Sequence, residues 1–121
     1  MTNVPKRLQK VLNLILEIPG VNAVSIISRD GFVVDYVSNA DTDLEAIGAV
    51  VASGFGASEV IGSELSLGYL NQCILEYDTN KIIMASIADN VLAVLADGDS
   101  MIGQIRYAIQ KNVTEITKGL S

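Results

Sequence analysis

Three short links constrain what this 121-residue chain can fold into. Arg29-Asp30-Gly31 separates two β-rich runs, Ala23 to Ser28 and Phe32 to Val37, and Asp-Gly between apolar strands is a strong hairpin signal. Asp78-Thr79-Asn80 and Asp89-Asn90 separate three further runs, about Leu67 to Asp78, Lys81 to Ala88 and Val91 to Ala96. Such side chains tolerate left-handed backbone and favour tight turns. Strands joined this closely cannot run parallel, because a parallel crossover needs a dozen or more residues. A hairpin and a three-strand meander therefore build one five-stranded antiparallel sheet.

The remaining runs have helical spacing. Over residues 5–18, Pro5 suits a first turn, Leu8, Val11, Leu12, Ile15 and Leu16 recur largely at intervals of three and four, and Pro19-Gly20 stops the helix. Thr42-Asp43-Leu44-Glu45 fits a capping box, in which the Thr and Glu side chains satisfy free amides at a helix start, so a second helix begins near residue 42 and runs to about Ile61. A third runs from about Ser100 to Lys118, capped by Asp99 or Ser100, with Ile102, Ile105, Ile109, Val113 and Ile116 on one stripe. The order α-β-β-α-β-β-β-α defines an α+β fold with helices on both faces of the sheet. The length fits one domain over residues 1–121. If the first hairpin docks on the strand at 91–96, the strand at 67–78 is left at one edge.

Composition removes most chemistry. Eight Lys and Arg against fourteen Asp and Glu give a net charge of -6, which repels phosphate backbones and anionic membrane surfaces and disfavours nucleic-acid partners. With no His and Cys73 as the one cysteine, the chain cannot build a Ser-His-Asp or Cys-His pair, a His-containing metal site or an internal disulfide. Neither GxxxxGK[ST] nor GxGxxG in a strand-loop-helix setting occurs, so no cofactor is expected. The acidic pairs Asp41 with Asp43 and Asp97 with Asp99 lie at helix starts, and Asp30 lies in a turn, where capping explains them better than acid-base catalysis. Cys73, flanked by Gln72 and Ile74, reads as a small buried hydrophobe. The run Val11 to Leu16, interrupted by Asn13, is too short for a signal peptide. The longest charge-free stretch, the 13 residues 46–58, is short of the roughly 20 that span a bilayer. The expectation is a cytoplasmic, non-enzymatic protein without direct membrane insertion.

What stands out is contact potential. The strand from Leu70 to Tyr77 places Cys73, Leu75 and Tyr77 on one face and Gln72, Ile74 and Glu76 on the other, with no Pro or Lys to protect an edge. Pairing with the same strand of a second copy would satisfy the free backbone groups. In the middle helix Gly48, Ala52 and Gly56 fall on one line, with Ala49, Ser53 and Ala57 beside them. Glycines 48, 54 and 56 each cost about 1 kcal/mol relative to Ala in an isolated helix, so a close approach must offset them. That approach is either to a symmetry mate or to the chain's own sheet.

Leu12 to Ile18 followed by Pro19-Gly20-Val21, then Ala23 to Ser28, Arg29-Asp30-Gly31 and Phe32 to Val37, resembles the opening of a Roadblock domain, a profilin-like fold. The small-residue helix from Asp43 to Ile61, the meander and the closing run Met101-Ile102-Gly103-Gln104-Ile105-Arg106 extend the resemblance along nearly the whole chain. It implies a homodimer made by edge-strand pairing, through Cys73, Leu75 and Tyr77, with the second helices lying together through Gly48, Ala52 and Gly56. It further implies a small Ras-like GTPase as partner, as for the bacterial gliding and polarity regulators, or a scaffold role, as for dynein light chains. Hydrolysis, where accelerated, would be changed by remodelling the GTPase rather than by an arginine finger. Helical phase puts Val51, Phe55, Ser58 and Glu59 on the partner-binding side, with Phe55 as the anchor or, equally, a core residue. The alternatives are a structural adaptor that leaves hydrolysis unchanged, and a PAS- or GAF-like sensor. The sensor needs a roomy pocket with convergent polar groups, which strands dense in Ile, Val and Leu do not suggest.

Overall fold

A computed structural model describes residues 6–39, 41 and 43–120. Its elements follow the expected order: α1 (Lys6–Leu16), β1 (Val21–Ser28), β2 (Val33–Ser38), α2 (Leu44–Glu64), β3 (Gln72–Glu76), β4 (Asn80–Ile87), β5 (Asn90–Asp97) and α3 (Ile102–Gly119). The strands form one antiparallel sheet in the order β2-β1-β5-β4-β3. The first hairpin thus docks on β5, and β3 lies at an edge.

The strand alternation fills two layers. On one face Val24, Ile26, Ile83, Leu92 and Val94 pack with Leu8, Leu12 and Ile15 of α1 and Ile105, Ile109 and Ile116 of α3. On the other, Ile27, Met84, Val91 and Ala93 pack with Val51 and Phe55 of α2. The Asp-Gly turn closes as expected, with Ser28 N–H donating to Phe32 O at 2.8 Å and Gly31 at φ 92°. Beyond it, Ile26 faces Asp35 while Ile27 faces Val33, so Val34 is an extra residue and forms a bulge. The bulge switches faces along β2. Val33 packs toward α2, whereas Val37 enters the α1/α3 layer and Asp35 accepts a 2.5 Å hydrogen bond from Gln9 Nε2 of α1.

Several boundaries differ from the sequence expectation for local reasons. β3 begins at Gln72 rather than near Leu67, because Ser66 and Gly68 have φ of 56° and 96°, a left-handed backbone that a strand cannot use. Tyr77 falls one residue past β3, and its N–H closes the turn on Asn80 O at 2.9 Å. The cap of α2 is Asp43, which accepts from Ala46 N–H, while Thr42 of the expected capping box lies outside the described residues. At α3 the cap position is Met101, without a side-chain hydrogen bond. Ser100 instead donates its hydroxyl to Asp97 O at 2.6 Å and tightens the end of β5.

The docking of α2 depends on one close approach. A Cβ built on Gly48 would lie 2.5 Å from Gly31 O, a backbone atom that cannot give way, whereas one on Gly56 would meet nothing within 4 Å. Gly48→Ala should therefore destabilise the fold by about 1–3 kcal/mol despite its better helix propensity. Gly56→Ala should stabilise it by roughly 0.5–1 kcal/mol. Thermal midpoints moving in opposite directions would meet this expectation, and a Gly48→Ala protein at least as stable as the parent would refute it.

Candidate dimer and partner interface

β3 hydrogen-bonds to β4 on one side, in the register Gln72↔Ala85 to Glu76↔Lys81, and no strand among the described residues pairs with its other side. Its side chains alternate as expected. Cys73 is half-buried toward α2, with Sγ 4.0 Å from Ser58 Oγ, while Ile74 packs toward the α1/α3 layer. Leu75 and Tyr77 are exposed at 37% and 59%. The edge therefore combines free backbone groups with apolar side chains and no lysine, the combination that templates pairing.

Next to that edge stands an unusual helix. α2 is long and apolar enough to cross a membrane by length and composition, yet it lies along the sheet with most of its surface uncovered. Val51 and Phe55 point down into the core, at 5% and 0% exposure. Its far side carries Ala46, Ala49, Ser53, Ala57 and Val60, all exposed. The apolar surface continues through Ile61, Leu65, Leu67 and Tyr69, the last fully in solvent. An exposed apolar surface this continuous marks an interaction site more often than a free surface.

The sheet-facing roll of α2 corrects two of the residues assigned to partner binding, Val51 and Phe55. Val51 and Phe55 are core residues and present nothing to a partner. Ser58 is half-buried and donates its hydroxyl to Gly54 O at 2.9 Å. Glu59 is held in an ion pair with Arg29 Nη1 at 2.6 Å. Arg29 also lies 5.3 Å over the Phe55 ring and donates to Ser86 Oγ at 3.5 Å, so one turn residue clamps α2 onto β4 and the first hairpin. The small-residue line divides between the chain's own sheet and open space. Gly48 admits the β1-β2 turn and Ala52 packs into the α2 layer of the core, so both make intramolecular contacts, and Gly56 is half-buried with open space around it. The neighbouring residues Ala49, Ser53 and Ala57 are the exposed ones.

Concavities on the surface are open grooves. One of about 590 Å³ runs between the lead into β3 and α3, lined in part by Tyr69, Asn71, Gln72, Ser86, Arg106 and Gln110, and Arg106 Nε donates to Gln72 Oε1 across it at 2.9 Å. With Leu70, Ala85, Ile109 and Val113 beside these polar groups it is an open surface groove of mixed lining rather than an enclosed chamber of the kind a ligand sensor uses.

Comparison with known proteins gives the same fold repeatedly. The Roadblock/LC7 domain pattern matches residues 7–96. The uncharacterized proteins MJ0714 and MJ0310 of Methanocaldococcus jannaschii are 28% and 27% identical, over 93% and 90% of this chain and 96% of their own lengths. Among solved structures, the gliding protein MglB from Thermus thermophilus superposes with a TM-score of 0.87 at 14% identity, covering 98% of this chain and 92% of its own. A Roadblock/LC7 domain from Streptomyces avermitilis gives 0.84 at 17% identity, with 92% and 95% covered. With the pattern matched over most of its length and the five-stranded fold shared with these structures, the chain belongs to the Roadblock/LC7 domain family.

Proposed function

We propose that this protein is a non-catalytic homodimeric regulator or scaffold that binds a small Ras-like GTPase. The observation that carries the dimer is the juxtaposition of an unpaired apolar β3 edge with an uncovered apolar α2. Antiparallel pairing of β3 with the same strand of a second copy places the two-fold axis normal to the sheet, so the two α2 helices come to the same face. Val50, Gly54 and Ile61 share the side of α2 that carries Ser58, next to Cys73 of β3, and this side meets the partner's α2. Ala49, Ser53 and Val60 remain on top of the helix pair. That row is the GTPase platform, and it replaces the buried Val51 and Phe55 in this role. The GTPase itself rests on family membership and on the likeness to the gliding proteins.

Any effect on hydrolysis is indirect in this reading. All three arginines are engaged within the chain: Arg7 with Glu115, Arg29 with Glu59 and Ser86, Arg106 with Gln72. None offers a free guanidinium of the kind that serves as an arginine finger.

Val50→Lys with Leu75→Lys should convert a dimer to a monomer in analytical ultracentrifugation, and a doubly substituted protein still at dimer mass would refute the edge-and-helix interface. Immobilised protein should retain a small GTPase from its own cell lysate in one nucleotide state, and Val60→Lys should lose it while staying dimeric. Retention of a motor or trafficking subunit regardless of nucleotide would favour the adaptor reading. With the captured GTPase, replacing Arg7, Arg29 or Arg106 by Ala should change any accelerated hydrolysis less than tenfold. A true arginine finger would cost about 10³–10⁵.

A further inference from the structure

The whole-chain charge conceals a segregation. Residues 6–18 and 100–120, which contain α1 and α3, carry six Lys and Arg against two Glu, a net +4, whereas residues 19–99 carry two against twelve, a net -10; together these give the -6 of the chain. Both helices lie on the sheet face opposite α2 and pack against each other, with Leu8 of α1 closing on Gly119 of α3. Arg7 and Lys118 both reach Glu115 at 3.7 Å, so the single carboxylate of α3 is shared between two cations. Lys10 and Lys111 stand exposed on the outer surface. One helical turn from each is an exposed apolar residue, Leu14 at 50% and Tyr107 at 64%, and Lys111 Nζ lies 6.0 Å over the Tyr107 ring.

We propose that the α1/α3 face docks the protein peripherally on an anionic lipid surface. Lys10 and Lys111 meet headgroup phosphates, and their aliphatic stems, with Leu14 and Tyr107, enter the apolar side of the interface. An acidic polypeptide or a nucleic acid matches the charge but gives Leu14 and Tyr107 no apolar medium, which favours the bilayer. On the opposite sheet face α2 carries Glu45, Glu59 and Glu64 and no Lys or Arg, so the same field that attracts the α1/α3 face orients that one away from the membrane. In the homodimer proposed above, the two-fold axis normal to the sheet turns both basic faces to one side and doubles the charge offered. That doubling rests on the dimer reading, while the face itself belongs to each protomer.

The test is co-sedimentation of the full chain with phosphatidylglycerol vesicles and with phosphatidylcholine vesicles, with the mass of the same sample measured in parallel. Binding to the first and not the second, falling with added salt, is expected. Lys10→Glu with Lys111→Glu should weaken it about twentyfold or more, at roughly fivefold per basic residue lost, with an unchanged circular dichroism spectrum. Lys10→Gln with Lys111→Gln should give a smaller loss in the same direction. Absence of binding to phosphatidylglycerol, equal binding to both vesicles, or full binding by the Glu variant would overturn the proposal. Retention on polyglutamate or duplex DNA without vesicle binding would also overturn it and reassign the face. Vesicle binding by a monomer would support this docking while removing the dimer reading, and dimer mass without binding would do the reverse.

Discussion

The antiparallel pairing of β1 with β5 is what the rest of the structure leans on. Val24, Ile26, Leu92 and Val94 face α1 and α3, while Ile27, Val91 and Ala93 face α2, and all are buried. Because both faces of these strands are covered, they read as continuous apolar runs rather than as alternating ones. Once these two strands occupy the centre, the hairpin partner β2 and the meander strand β3 become the edges with no further instruction. The helices then divide between faces, two on one side and one on the other, and the single helix cannot cover its half of the sheet while also hiding its own upper surface.

The roll of that single helix is set by one turn. Gly31 presses its carbonyl against Gly48, and Arg29, two residues earlier, holds Glu59 and covers Phe55. These contacts lie three turns apart along α2, so together they fix rotation about its axis. A polar surface helix needs no such clamp, because its apolar stripe alone selects the buried side. Here both sides are apolar, and specific contacts to the β1-β2 turn supply the choice.

This is also why the sequence was informative about topology and poor about phase. The short turns at 29–31, 78–80 and 89–90 and the apolar runs between them carried the element order and the β3 edge. Nothing in residues 44–64 distinguishes a core-facing Val51 from a solvent-facing Val50, since the helix has too little amphipathic contrast for periodicity to decide. The close approach implied by the glycines is made at Gly48, to the β1-β2 turn, whereas a Cβ on Gly56 would meet nothing within 4 Å. The late start of β3 depended on left-handed backbone at Ser66, a residue type without a strong preference for it. Net charge is uninformative about placement for a related reason, since a sum over the chain discards where each charge sits.

The bulge at Val34 has a consequence for assembly size. An open sheet has two ends, and if both accepted another strand, head-to-head pairing at one would be followed by pairing at the other, giving an unlimited fibre. At the β2 end the extra residue breaks the ladder rhythm, and Asp35 is turned inward onto Gln9, so the backbone there does not offer the regular, flat template that β3 does. In the proposed homodimer the β3 end would therefore pair and the β2 end would not, so the sheet would close after one pairing.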